Sequence, residues 1–239
     1  MAEINNLLRR EIKFYISSAD IVVLRQSLQE VMQYDSHADY ATRHYTVSSI
    51  YFDTPYDTDL EEKLSGLLNR KKYRIRIYNH QDDYIILETK LKENTVINKE
   101  REVISRAVAR KLLAGDYHGF LYNSSPYLSK TAATLLCKSY YPKVIVEYER
   151  EAYTLPFWNI RITFDTNLRT YNSETNLLRP KTASIPVFSG SREIMEVKYD
   201  FALPIIIKKV LSRISSEYCA ISKYALCRRF IKQASWEDN

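Results

Sequence analysis

The sequence predicts an α+β fold: an antiparallel β-sheet closed into a barrel, with a charged lumen and with helices packed outside. Three observations predict it. Strands alternate apolar with basic residues, so that Ile75 and Ile77 face one way and Arg74, Arg76 and Tyr78 the other. The faces opposite the charged ones are apolar in several strands, as with Ile12 and Phe14, Ile85 and Leu87, and Met195 and Val197. Helical patterns between and after the strands carry apolar stripes that need a sheet face to bury them. An antiparallel sheet with one polar face normally turns it to water. Closure into a barrel turns the charged face inward instead and leaves the apolar face to the helices.

The elements follow in order. Residues 9–16 form a first strand with Arg9, Glu11, Lys13 and Tyr15 on one face. Ser17 or Ser18 caps a helix running to about residue 34, its stripe made by Ile21, Leu24, Leu28 and Val31. Residues 45–52 form a second strand, ended by Asp53-Thr54-Pro55, and residues 58–67 a short helix that Gly66 closes. Strands follow at 71–78, 85–90 and 97–104, with turns at 79–83 and Asn94. Residues 105–141 change character: Ser105 caps a helix stopped by Gly115, and residues 129–141 form a second one closed by Pro142. This is a helical insertion, with Leu128, Ala132, Leu135 and Leu136 as a packing stripe. Strands resume at 143–154, 160–166 and 193–200, with a loop-rich stretch at 168–191 that includes some strand at 185–188. Pro204 opens a helix to about residue 216, and a last helix covers 223–233. No Gly/Ser-rich or Pro-rich hinge interrupts the chain, so residues 1–239 read as a single domain.

Composition narrows the chemistry. A net charge of +6 and a pI near 9.0 favour an anionic partner. With only 4 glycines, and no Gly-x-x-x-x-Gly-Lys or Gly-x-Gly-x-x-Gly pattern, any phosphate is held by side chains rather than by a glycine loop. Cys137, Cys219 and Cys227 form no Cys-x-x-Cys pair, which suggests reduced thiols and a cytoplasmic chain. His37, His44, His80 and His118 show no metal-ligand spacing. No signal peptide is visible, and no apolar run approaches the roughly 20 residues that span a bilayer.

Seven strand faces share one feature: a basic residue beside an acid, a tyrosine or another base. They hold Glu11 and Lys13; Arg74 and Arg76; Glu88 and Lys90; Lys99 and Arg101; Tyr148 and Arg150; Arg161; and Glu196 and Lys198. For any single strand a solvated sheet face is the commoner explanation, and Glu196 with Lys198 also fits a simple surface pair. The repetition favours a shared lumen. Two cations about 4 Å apart at an effective dielectric of ~20 repel by roughly 4 kcal/mol. A chain of phosphates removes that repulsion and satisfies arginine forks bidentately. Acids among the bases suit a divalent cation bridging phosphate oxygens.

Several segments occur in an order that resembles a known family. They are Arg10-Glu11-Ile12-Lys13-Phe14, Ser49-Ile50-Tyr51-Phe52-Asp53-Thr54-Pro55, Arg74-Ile75-Arg76-Ile77-Tyr78 and Leu87-Glu88-Thr89-Lys90. Glu147-Tyr148-Glu149-Arg150, Arg161-Ile162-Thr163-Phe164-Asp165, Glu196-Val197-Lys198-Tyr199 and Ser222-Lys223-Tyr224 complete the set. Together they resemble the VTC domain, the catalytic module of the vacuolar transporter chaperone polyphosphate polymerases. That domain is one of the triphosphate tunnel metalloenzymes, relatives of CYTH domains and RNA triphosphatases. The compact length is similar to that of a stand-alone prokaryotic member.

The resemblance implies a tunnel of about eight antiparallel strands. It implies that Lys13, Arg74, Arg76, Lys90, Lys99, Arg150, Arg161 and Lys223 bind a triphosphate or polyphosphate, with Arg101 and Lys198 beside them. Tyr148 and Ser222 add hydrogen bonds. Glu196 matches the family's metal-binding glutamate, with Glu11 and Glu88 as further metal candidates, and the cofactor expected is Mn²⁺ or Mg²⁺. The CYTH-type Glu-x-Glu-x-Lys start is incomplete, because Arg9 stands in place of its first glutamate. This fits the polymerase branch better than a triphosphatase or adenylate cyclase.

The activity expected is transfer of the ATP γ-phosphate onto polyphosphate, with Arg74, Arg76, Arg150, Arg161 and Glu196 as catalytic residues and pyrophosphate or triphosphate as smaller ligands. A membrane-protein partner is implied by the relatives alone, and no nucleic acid is expected. Two other functions fit the same residues: hydrolysis of inorganic, nucleoside or RNA triphosphates, and non-catalytic polyanion binding.

Overall fold

The structure, a computed structural model, describes residues 10–35, 42–94, 96–122, 124–171, 175–179, 183–214 and 216–237. Arg9, proposed to begin the first strand, and His37 lie outside the described residues. In chain order the elements are β1 (Arg10–Ser17), α1 (Ser18–Val31), β2 (Gln33–Tyr34), β3 (His44–Asp53), α2 (Thr58–Leu64), β4 (Arg70–Tyr78), β5 (Gln81–Glu93) and β6 (Val96–Ile104). Then come α3 (Arg106–Leu113), α4 (Pro126–Cys137), β7 (Tyr141–Leu155), β8 (Ile160–Thr170), β9 (Ile185–Pro186), β10 (Arg192–Tyr199), α5 (Ile205–Leu211), β11 (Glu217–Tyr218) and α6 (Lys223–Glu237).

The chain divides into two compact units. One holds Met1–Tyr45, Tyr148–Leu168 and Phe188–Ile221; the other holds Thr46–Glu147, Arg169–Val187 and Ser222–Asn239. In the first unit β1 pairs antiparallel with β10 and, for two residues, with β11, while β10 pairs with β8. The apolar face of these strands meets α1 and α5, so that Ile16, Leu24, Leu28, Ile162, Met195 and Ile207 share one core. Ser17 caps α1: its hydroxyl accepts from the Asp20 N–H, and the Asp20 carboxylate accepts from the Ser17 N–H.

In the second unit β3, β4, β5 and β6 form an antiparallel meander. Asn79 and His80 both take left-handed φ values, 49° and 58°. That makes a two-residue hairpin matched to the strand twist, tighter than the turn expected at 79–83. Ile75, Ile77, Ile85 and Leu87 pack on Ala109, Leu112, Leu128, Ala132 and Leu135 of α3 and α4. The inserted helices therefore cover the apolar face, as their stripe implied. Helix α4 starts earlier than expected because Ser125 caps it and Pro126 fits its first turn. It ends before Ser139, whose φ of 54° breaks the helix, and Pro142 stands inside β7 instead. Two buried carboxylates dock α6. Asp53 accepts from Tyr224 and from the Asp59 and Leu60 N–H groups of α2, and Asp57 pairs with Arg228, Lys143 and Lys232.

The expectation of a closed barrel is corrected. The main strand order is β11-β1-β10-β8-β7-β3-β4-β5-β6, with β2 on β7 and β9 on β8. Among the described residues no ladder joins β11 to β6, so the antiparallel sheet stays open. The reason is local. β11 offers two residues before the chain turns into α6. The outer strand β6 carries Lys99, Glu100, Arg101 and Glu102 in a row, and such charge discourages pairing at a free edge.

Candidate active site

The charged residues singled out from the sequence form a cluster in each unit. In the first unit the register builds a checkerboard. Glu11 stands opposite Lys198, which faces Arg161; Lys13 stands opposite Glu196, which faces Thr163. Lys13 Nζ lies 2.9 Å from Glu11 and 3.3 Å from Glu196, and Lys198 Nζ lies 3.3 Å from Glu196. Arg150, from β7, forks onto buried Asp165 with Nε–Oδ1 and Nη2–Oδ2 distances of 2.6 and 2.7 Å. Its Nη2 is 3.9 Å from Glu196, and its guanidinium stacks 5.1 Å above the Tyr148 ring. Arg161 donates to Asp35 at 2.6 Å and to the Tyr45 hydroxyl at 3.0 Å.

The electrostatics follow from packing. Burial opposes charge on Arg150, but the Asp165 carboxylate outweighs it and holds the guanidinium well above its ordinary pKa. Burial draws the Lys198 ammonium down, with Glu196 and Glu11 opposing. Two donors in this patch, Arg161 Nε and Thr163 Oγ1, are buried without a hydrogen-bond partner. Each such group costs about 1–3 kcal/mol, a cost that ligand oxygens would recover.

In the second unit the register lines up successive rungs of one sheet face. Lys72, Lys90 and Lys99 stand side by side on β4, β5 and β6. The next rung is Tyr51, Arg74, Glu88 and Arg101, and the next Ser49, Arg76 and Ile86. Like charges directly opposite in a sheet destabilise it unless anions lie between them.

Glu88 is the acid among the residues just named. It bonds Arg74 and sits 2.5 Å from Lys99 Nζ. Burial would raise its pKa, but Arg74, Arg76 and Lys99 outweigh burial and hold it at about 2. Lys99 falls to about 8, because burial and the repulsion of Arg74 and Arg76 exceed the pull of Glu88. Arg74 also donates to the Tyr51 hydroxyl at 2.7 Å, and Arg76 to Ser49 at 3.0 Å. Burial would raise the Tyr51 pKa too; Arg74 and Arg76 bring it below its ordinary value.

The residues expected from sequence therefore fall into two groups. Lys13, Tyr148, Arg150, Arg161, Glu196, Lys198 and Glu11 gather in the first unit. Arg74, Arg76, Lys90, Lys99, Arg101 and Glu88 gather in the second, where Ser222 receives a hydrogen bond from Lys72 at 2.9 Å. Lys223 follows as the first residue of α6. Sequence reasoning missed Lys72, held between Ser222 and the Tyr224 ring at 5.2 Å, as well as Ser49, Tyr51, Asp35, Tyr45 and the anchoring role of Asp165. A signal existed for two of them: Ser49 and Tyr51 alternate with apolar residues at the period that Arg74 and Arg76 show.

The metal candidates separate on geometry. No group of three or more His, Cys, Asp or Glu able to hold an ion occurs among the described residues. Mg²⁺ and Mn²⁺ at phosphate sites commonly use one or two carboxylates, with phosphate oxygens completing the shell. Glu196 and Glu11, on adjacent strands and one rung apart, fit that pattern. Glu88 does not, since Arg74 and Lys99 occupy its two oxygens.

Comparison with known proteins decides the family: the VTC domain matches residues 8–232. The chain belongs to the VTC-domain family. It is thereby a member of the triphosphate-tunnel enzymes, although its described sheet is open. Comparison with curated proteins gives no match. Among solved structures, a Bacillus halodurans protein provisionally named an adenylate cyclase is similar at 11% identity and a TM-score of 0.51, over 90% of this chain and 92% of that one. A Vibrio parahaemolyticus protein with the same provisional name matches at 12% identity and 0.44, over 95% and 86%. A Pyrococcus horikoshii protein matches at 13% and 0.45, over 91% and 97%. At these identities the Bacillus likeness is one of fold. Among the described residues no helix is long and apolar enough to cross a membrane.

Proposed function

We propose that this VTC-domain protein is a metal-dependent phosphotransferase that moves the γ-phosphate of ATP onto a growing polyphosphate chain. The observation that supports it best is the lysine rung of Lys72, Lys90 and Lys99 beside the Arg74–Glu88–Arg101 rung. A row of cations that repel one another suits a ligand that is itself a row of anions. In this reading a terminal oxygen of the polyphosphate attacks the γ-phosphorus. The bond from that phosphorus to the β–γ bridging oxygen breaks, and ADP leaves with the electron pair.

The catalytic arginines proposed in each unit are fixed beforehand for meeting charge on phosphoryl oxygens: Arg74 and Arg76 by Tyr51 and Ser49 in one, Arg150 and Arg161 by Asp165 and Asp35 in the other. Lys13, Lys198, Lys90, Lys99, Arg101 and Lys223 bind the remaining phosphates, and Tyr148 and Ser222 add hydrogen bonds. Glu196 and Glu11 would hold Mn²⁺ or Mg²⁺, which when bound neutralises phosphate oxygens. No side-chain nucleophile is required.

Purified protein given ATP, Mn²⁺ and a pyrophosphate primer is expected to produce long polyphosphate. Free phosphate as the product would establish a triphosphatase instead. Glu196→Gln is expected to lose about 10²-fold or more in turnover with a modest loss of triphosphate affinity. Ligand binding without turnover in the parent protein would establish a polyanion-binding module.

A further inference from the structure

At one end of the first unit two turns emerge side by side. The β8–β10 ladder pairs Arg161 with Lys198 and Ile162 with Val197, so the start of β8 lies against the end of β10. The turn Pro156–Trp158 leads into β8, and residues 200–204 lead out of β10. Asn159 Nδ2 ties the two turns by donating to Asp200 Oδ2 at 2.6 Å. From them project Phe157, 88% exposed, Trp158, 53% exposed, and Phe201, 74% exposed. Helix α5 continues the surface with Ile205 and Ile206, 73% and 52% exposed, while its Ile207 and Val210 are buried in the core.

Scattered exposed apolar residues are ordinary, but five large ones on two tied turns and the helix that follows are not. None of them belongs to the charged clusters. Their setting selects an occupant. Phe157, Trp158 and Phe201 stand exposed on the turns and Ile205 and Ile206 on the helix beside them, which suits insertion into a deformable layer. Trp favours the boundary between headgroups and acyl chains, and Trp, Phe and Leu make up the apolar side of interfacial segments. Lys208 and Lys209 lie exposed on the same short helix, placing positive charge next to the apolar tip. A second copy docked through the same patch would bring these lysines toward their own counterparts.

We propose that this end of the first unit inserts shallowly into an anionic lipid surface, with Phe157, Trp158, Phe201 and Ile205 at the acyl boundary and Lys208 and Lys209 among the headgroups. The test uses the full chain and vesicles of phosphatidylcholine with or without phosphatidylglycerol. The chain has 2 tryptophans, so a Trp236→Phe background makes Trp158 the reporter. Cosedimentation with the anionic vesicles is expected, with a blue shift of Trp158 emission and quenching by brominated acyl chains. Phe157→Ser with Phe201→Ser is expected to weaken partitioning at least about tenfold. Lys208→Glu with Lys209→Glu should abolish the preference for anionic vesicles.

A variant with unchanged urea unfolding shows that any loss comes from the patch. Trp158 quenching in the otherwise unaltered protein tests insertion without the patch variants. No cosedimentation, or a Trp158 that stays unquenched, overturns the proposal. So does binding that triphosphate abolishes and the phenylalanine variants leave intact, because the cationic clusters would then be holding the lipid phosphates. Binding confined to vesicles that carry a membrane protein would place a protein partner there and also overturn it.

Discussion

Asp165→Asn is the most informative single change. Asp165 is fully buried and holds Arg150 by two short hydrogen bonds. Removing one partner of a buried pair typically costs about 3–5 kcal/mol, because the other charge loses its compensation. The asparagine oxygen keeps one of the two bonds, which returns roughly 1 kcal/mol. Glu196, 3.9 Å from Arg150 Nη2, supplies partial compensation. The expected loss is therefore about 2–4 kcal/mol. With a urea slope of about 2 kcal/mol per molar the unfolding midpoint should fall by about 1–2 M. Arg150→Met combined with Asp165→Asn should cost clearly less than the two single changes added together, since the stranded charge is gone. Saturating triphosphate should stabilise Asp165→Asn more than the parent, because ligand oxygens can take the place of the lost carboxylate charge. A single-variant loss below about 0.5 kcal/mol, or strict additivity in the pair, would refute the view that Asp165 positions Arg150.

Two further outcomes depend on pH. Lys99 is held at about 8, so it is charged below that value and neutral above it; triphosphate affinity measured by calorimetry should weaken as pH rises through about 8, and Lys99→Met should remove that inflection. Glu88, held at about 2, stays ionised throughout that window and does not contribute to it. Asp59 is raised to about 7, by burial first and also by Asp53 and Glu62, against the Tyr140 hydroxyl at 2.6 Å. Its folded pKa lies above the unfolded value of 3.8, so stability is fully present below that value and is lost as pH rises toward 7. About three pKa units correspond to roughly 4 kcal/mol. An asparagine hydrogen placed where Asp59 Oδ2 has no partner costs about 1–3 kcal/mol. Asp59→Asn should thus stabilise by about 1–3 kcal/mol in urea unfolding at pH 8 and not at pH 4; equal effects at the two pH values would remove Asp59 as the titrating group.

The parts of the fold that were legible are those where one local period decides the outcome. Ile75 and Ile77 alternate with Arg74 and Arg76, and the structure buries the first pair under α3 and α4 while the second joins the charged face. Ser17 and Ser105 do cap α1 and α3. The errors arose where a contact distant in sequence outweighed the local signal. Pro142 reads as a helix stop, yet the left-handed Ser139 had already ended α4, and the proline is free to stand in β7. Closure was the largest error. Alternation shows that a strand has a charged face but says nothing about which edges meet. Here β11 is two residues long, so β1 is paired only briefly on that side, and β6 keeps a charged outer edge.

The candidate site was legible as a list of cations and much less so as an arrangement. In the sequence nothing local sets Lys72 apart from Lys71 beside it. Only the register places Lys72 beside Lys90 and Lys99, and only α6, returning from 150 residues away, sets Ser222 against it. Glu88 shows the opposite case. By residue type it qualifies as a metal ligand, but Arg74 and Lys99 already hold both of its oxygens, so its charge steadies the cations around it. Glu196 carries the same side chain and is approached by Lys13, Lys198 and Arg150 at 3.3–3.9 Å, with Glu11 on the adjacent strand. Two carboxylates of the same residue type thus sit in different surroundings, and the proposed metal role falls to Glu196. That difference is why Glu196 rather than Glu88 is the residue to replace when turnover and binding are to be separated.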